Sequence, residues 1–214
     1  METKAECCTR VNGMQRKFSE RTKLLMLYHI SPQAGLKTLQ PHVSTHKKPY
    51  VYAIQNMVTG LLFGVKKDDF DFIISGDEKG CPIVYECYPD AFVLAYKDKS
   101  CSVYELAEEG FMRGMTGWSL ELVCEKEVVV QNEIVVPDLY GRLLKEEEHG
   151  NIVIHRYVQD MEYKARIARH ITDRLLRFDI DLSHCMEWED TRFRDYYGEL
   201  VKALGSVTDG HLLL

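Results

Sequence analysis

The sequence predicts an α+β fold built on a split, mostly antiparallel sheet. Three observations predict it. Many short β-prone runs follow one another between turn residues, alternating βαβ units are absent, and helical periodicity is concentrated beyond Tyr157. A chain of 214 residues can bury one substantial core, alone or with a small helical appendage.

Residues 1–22 have no clear period and read as an N-terminal arm. From Lys23 the texture changes. Leu24–Ile30 is an apolar run of strand length closed by Ser31-Pro32. Ala34–Pro41 reads as a short turn of helix stopped by proline, and His42–Pro49 as polar loop. Tyr50–Ala53 is β-prone, and Gln55–Phe63 reads as a helix with Met57, Leu61 and Leu62 on one side. Lys66–Gly80 suits a loop holding one short strand. Strands are expected over Pro82–Tyr88, Ala91–Tyr96 and Ser102–Leu106, followed by a glycine-rich loop at Phe111–Trp118. Three β-prone pieces, Leu120–Cys124, Glu127–Gln131 and Ile134–Val136, precede Pro137. Leu139–Glu147 reads as a short helix and Asn151–Tyr157 as a last strand. Helical spacing then governs Val158–Phe178 and Trp188–Leu204. The expected organisation is an arm (1–22), a core (23–157) and a C-terminal helical extension (158–214).

Apolar residues make up 45% of the chain and charged residues 28%, a globular mixture rather than a disordered one. The net charge of −6 argues against coating nucleic acid by counterion release. Seven cysteines, an odd number with no C-x-x-C pair, read as reduced thiols in a cytoplasmic protein. The opening residues are polar, and no apolar run approaches the roughly 18–20 residues of a membrane helix.

Three short features carry chemistry. Tyr28-His29-Ile30-Ser31 ends a buried strand. Tyr50-Val51-Tyr52-Ala53 precedes an apolar helix ending at Phe63. Glu121 is embedded in the β-prone run Ser119–Val123. Each alone has a bland reading: a capped strand end, core packing, and the solvent half of a strand's alternation.

Together and in this order they resemble the ADP-ribosyltransferase superfamily of the His-Tyr-Glu type, which includes the poly-ADP-ribose polymerases. The likeness runs from about Leu24 to Tyr157. "LYHIS" looks like the family's first strand, and "YVYAIQNMVTGLLF" like its second strand and following helix. The resemblance implies an NAD-dependent transferase, a glycosyltransferase that moves ADP-ribose to an acceptor and releases nicotinamide. It assigns His29, Ile30, Ser31, Tyr52 and Phe63 to NAD binding. Tyr52 and Phe63 would sandwich nicotinamide, Ser31 and the Ile30 backbone would hold its carboxamide, and His29 would meet a ribose hydroxyl. Ile30 stands where the polymerases have glycine.

Two positions compete for the family's acidic residue. "ELVCEKEVVVQNEIVV" puts Glu121 there and leaves Val128–Val136 as the next strand, and this placement is preferred. "NEIVVPD" would instead put Glu133 there. The resemblance thus expects His29, Tyr52 and Glu121 to line one cleft. A carboxylate on a ribose hydroxyl stabilises the oxocarbenium-like state through which the glycosidic bond breaks. Two alternatives accompany the enzyme reading: a non-catalytic NAD or ADP-ribose-binding module, and an NAD-dependent RNA 2′-phosphotransferase. The second wants several arginines at the pocket, and residues 1–140 hold only Arg10, Arg16, Arg21 and Arg113.

The remaining motifs have plain readings. His42 and His46 lie four apart, but in a polar loop with no third ligand at a useful spacing, so no metal is expected. Asp68, Asp69, Asp71, Asp77 and Glu78 read as a solvated acidic loop without EF-hand spacing. The basic residues of the helix after Tyr157 are flanked by acidic ones and read by default as a solvated face, with a nucleic-acid-facing ridge as the sharper alternative.

Overall fold

The computed structural model describes residues 26–43, 48–65, 71–76 and 80–177. It is a mixed α+β structure with mostly antiparallel sheets. The expected arm and the expected helix at Trp188–Leu204 lie outside the described residues.

The main sheet has seven strands. Its principal members are β1 (Met26–Ser31), β4 (Pro49–Ile54), β7 (Cys101–Ala107), β9 (Glu121–Cys124) and β11 (Asn132–Val136), with β8 (Met112–Arg113) at one end. The order is β11-β7-β1-β4-β9-β8, and β3 (His42–Val43) pairs with β4. β2 (Thr38–Leu39) pairs with β10 (Val128–Val129) as a small separate ribbon. A three-stranded sheet orders β12 (Val153–His155), β6 (Pro82–Glu86) and β5 (Phe72–Gly76), with β12 and β6 parallel.

Pleat alternation gives each face of the main sheet its own core. Leu27, Val51, Ala53, Tyr104, Leu106 and Leu122 pack on one face with Leu39 and Val128 of the ribbon. On the other face, Val103 and Val136 join a core with α1 (Met57–Leu61), α2 (Ala91–Tyr96), α3 (Leu139–Glu148), the second sheet and α4 (Met161–Arg177). Gly60 lets α1 approach β1. A Cβ there would overlap Ile30 Cδ1 and lie 3.0 Å from Ile54 Cγ2.

Most expected strands are present, and two local expectations are corrected. Ala34–Pro41 is not a helix. Gly35 adopts φ +78°, which breaks a helix, and Thr38-Leu39 pair with Val129 and Val128. Ala91–Tyr96 is not a strand but helix α2. Ala91, Phe92 and Tyr96 are buried while Leu94 is 67% exposed, a spacing that strand alternation cannot produce. The loops expected at 42–49 and 111–118 each carry a two-residue strand, β3 and β8. The helix after Tyr157 packs on the core, where Ile167, Ala168 and Ile171 of α4 are buried. Among the described residues, no helix is long and apolar enough to cross a membrane.

Candidate functional site

β1 is fully paired on one side and barely paired on the other. All six β1 residues are in register with β7, whereas the register with β4 holds a single pair, Tyr28 with Ile54. Beyond that pair, a side chain joins the strands: His29 Nδ1 lies 2.8 Å from the Tyr52 carbonyl oxygen. A carbonyl can only accept, so Nδ1 carries the proton. In the neutral ring Nε2 is then an acceptor.

His29 is held neutral. Burial pushes its pKa below the ordinary value near 6.5, and the neighbouring His42 lowers it further, while the bond to Tyr52 opposes both. As pH falls below about 6.5, the unfolded chain takes up a proton that the folded chain resists. Stability therefore falls from there down through the lowered folded value. Urea unfolding at pH 7.5 and pH 5.5 checks this. Wild type is expected to lose more stability between the two pH values than His29→Gln, and an identical loss would refute the buried neutral imidazole.

A polar row crosses three strands of the same face. His29 is in register with Tyr104, and Tyr104 with Glu133. At about 4.8 Å per strand spacing, the backbones of His29 and Glu133 are roughly 10 Å apart. Ser31 is in register with Ser102, two residues along the same face. Its hydroxyl accepts from the Gln33 amide at 3.1 Å.

Glu133 is anchored through one oxygen. Oε1 accepts from the Gly35 amide at 2.8 Å and the Ser102 hydroxyl at 2.7 Å, and lies 3.2 Å from the Tyr104 hydroxyl. These donors, Gly35 first and Ser102 next, hold the carboxyl below its usual range against the opposing effect of desolvation. It is therefore ionised at neutral pH. Among the described residues, Oε2 has no hydrogen-bond partner, which leaves it available to accept from a ligand.

The other site residues take different positions on the pleat. Ile30 packs with the opposite core, against the helix face at Gly60. Tyr52 is in register with Val123 and Glu121 with Ile54, positions that alternate with the Leu122 and Ala53 face. Glu121 and Tyr52 thus take pleat positions opposite those of His29 and Glu133. The Tyr52 ring lies near Tyr50 and His42, each with centroids 6.0 Å away. Phe63 is 42% exposed, with its ring 5.6 Å from that of Trp118. The Glu121 amide donates to the Trp118 carbonyl at 3.1 Å. An open hollow of about 390 Å³ adjoins the segment before Glu121, lined by Asn56, Gly80, Arg113, Ser119 and Leu120 among others.

The structure therefore brings His29, Ser31 and Glu133 together on one face of the sheet. Tyr52 and Glu121 take the other face, with Phe63 near Glu121 through Trp118. Register, which the sequence pattern does not display, is what keeps Glu121 off the His29 face. Sequence reasoning also misses Gly35, Ser102 and Tyr104. A signal for two of them exists in β7, where Ser102 and Tyr104 are polar groups on one face of a central, buried strand. Comparison with family models, curated proteins and solved structures yields no match to this chain.

Proposed function

We propose that the chain is an NAD-dependent ADP-ribosyltransferase whose acidic residue is Glu133. Two fixed hydrogen-bond acceptors, His29 Nε2 and Glu133 Oε2, carry this assignment. They belong to one cross-strand row beside the parting of β1 and β4. A ligand rich in hydroxyl donors, with two riboses, suits two such acceptors. The motif resemblance narrows that ligand to NAD.

In this reading the nicotinamide end lies toward the parting of β1 and β4, and Tyr52 and Phe63, on the far side of the sheet, take no part in stacking it. Ser31 and the Ile30 backbone hold the carboxamide. The bond from C1′ of the ribose to the nicotinamide nitrogen breaks, and its electron pair leaves with neutral nicotinamide. Positive charge develops at C1′ and the ring oxygen. Ionised Glu133, accepting from a ribose hydroxyl, stabilises that charge most where it is greatest, in the transition state. The acceptor's nucleophile forms the new bond to C1′ and gives its proton to solvent or a nearby base.

The test is incubation of the full chain with NAD, with free nicotinamide followed by chromatography. Time-dependent release above the protein-free rate is expected, because water substitutes for the acceptor. NAD binding by calorimetry without release would favour the binding-module alternative, and absence of both would overturn the proposal.

A further inference from the structure

We propose that Ser102 and Tyr104 are positioning residues for Glu133, Ser102 by direct contact and Tyr104 through the turn that supplies the Gly35 amide. Their role rests on the assignment of Glu133 as the acid. The bonds on its carboxylate are unevenly distributed. Three neighbouring groups converge on Oε1, which fixes the carboxylate's rotation and leaves Oε2 unengaged among the described residues.

Ser102 is 1% exposed and contributes its hydroxyl proton to Oε1. Tyr104 is fully buried and acts at a junction. Its hydroxyl lies 2.7 Å from the Gln33 carbonyl, to which it donates, and accepts from the Leu36 amide at 3.2 Å. It therefore pins both ends of the turn that holds Gly35, whose amide donates to Glu133. With its single proton directed to Gln33, the 3.2 Å approach to Oε1 is the weaker contact. The clamp has two arms: a hydroxyl that touches the acid, and a phenol that holds the turn.

A carboxylate held this way needs no reorientation when charge develops on the substrate. Such preorganisation affects the chemical step more than substrate binding. Loss of a donor also weakens the preference for the ionised form, which moves the acidic limb of the rate profile to higher pH.

Ser102→Ala and Tyr104→Phe in the full chain test the clamp, with urea unfolding used to confirm that each is folded. For Ser102→Ala, kcat for nicotinamide release is expected to fall about tenfold, consistent with loss of one hydrogen bond to a charged group. KM for NAD should stay within about twofold, and the acidic limb of the kcat profile should move upward. For Tyr104→Phe, hydrogen exchange at the Gly35 amide should accelerate and kcat should fall. Wild-type kcat and an unmoved acidic limb in Ser102→Ala, with Glu133→Gln inactive, would overturn the positioning role and leave the acid's role intact. A wild type that releases no nicotinamide would overturn both.

Discussion

Glu133→Gln is expected to lower kcat for nicotinamide release by about 10²- to 10³-fold, while Glu121→Gln stays within about threefold of wild type. The substitution is a sharp one because it separates position from charge. A glutamine oxygen can still accept from Gly35 and Ser102, which donate to Glu133 Oε1 in the wild type. The amide nitrogen then takes the place of Oε2. It donates where the carboxylate accepted, and it carries no negative charge to offset the oxocarbenium-like state. KM for NAD should change little, since the lost interaction is strongest in the transition state. Glu121 takes the opposite pleat face, so its neutralisation leaves the His29–Tyr104–Glu133 row untouched. Nicotinamide release and calorimetric NAD binding, measured on both variants, check this. Abolished release in Glu121→Gln with normal release in Glu133→Gln would return the acidic role to Glu121.

The choice between these two glutamates marks the limit of local pattern. Each lies at the start of a strand and each is followed by apolar residues, so the pattern treats them alike. What separates them is pairing between distant segments. Glu133 is in register with Tyr104, and Tyr104 with His29, whereas Glu121 is in register with Ile54. Such register is set by the whole sheet and leaves no mark at the residue itself. β1, β4, β7 and α3 are legible because their patterns are strong and local. For α3, Asp138 adds a side-chain cap to the Gly141 amide at 2.9 Å. α2 is not legible, because a six-residue apolar run fits a buried strand as readily as a helix. No local cap betrays it either. Asp90 occupies the N-cap position with φ 61° and makes no side-chain cap bond.

That missing cap is supplied from β6, and it underlies the largest stability effect expected. Glu86 is 2% exposed. One carboxylate oxygen accepts from the Phe92 amide in the first turn of α2 at 2.7 Å, and the other from the Tyr157 amide at 2.9 Å. The Glu86 backbone carbonyl also accepts from the Tyr163 hydroxyl at 3.0 Å. One residue thus joins the second sheet to α2, to the segment after β12 and to α4. Glu86→Ala leaves the two amides without their acceptor and opens space beside α2. Each unsatisfied buried group costs about 1–3 kcal/mol, so a loss of about 3 kcal/mol is expected. For a chain of this size that lowers Tm by roughly 10 °C. Glu86→Gln should lose less, because its amide oxygen satisfies one of the two N–H groups. Thermal unfolding followed by circular dichroism ranks the three proteins. Wild-type Tm in Glu86→Ala would show that α2 and the Tyr157 segment hold their places without this carboxylate.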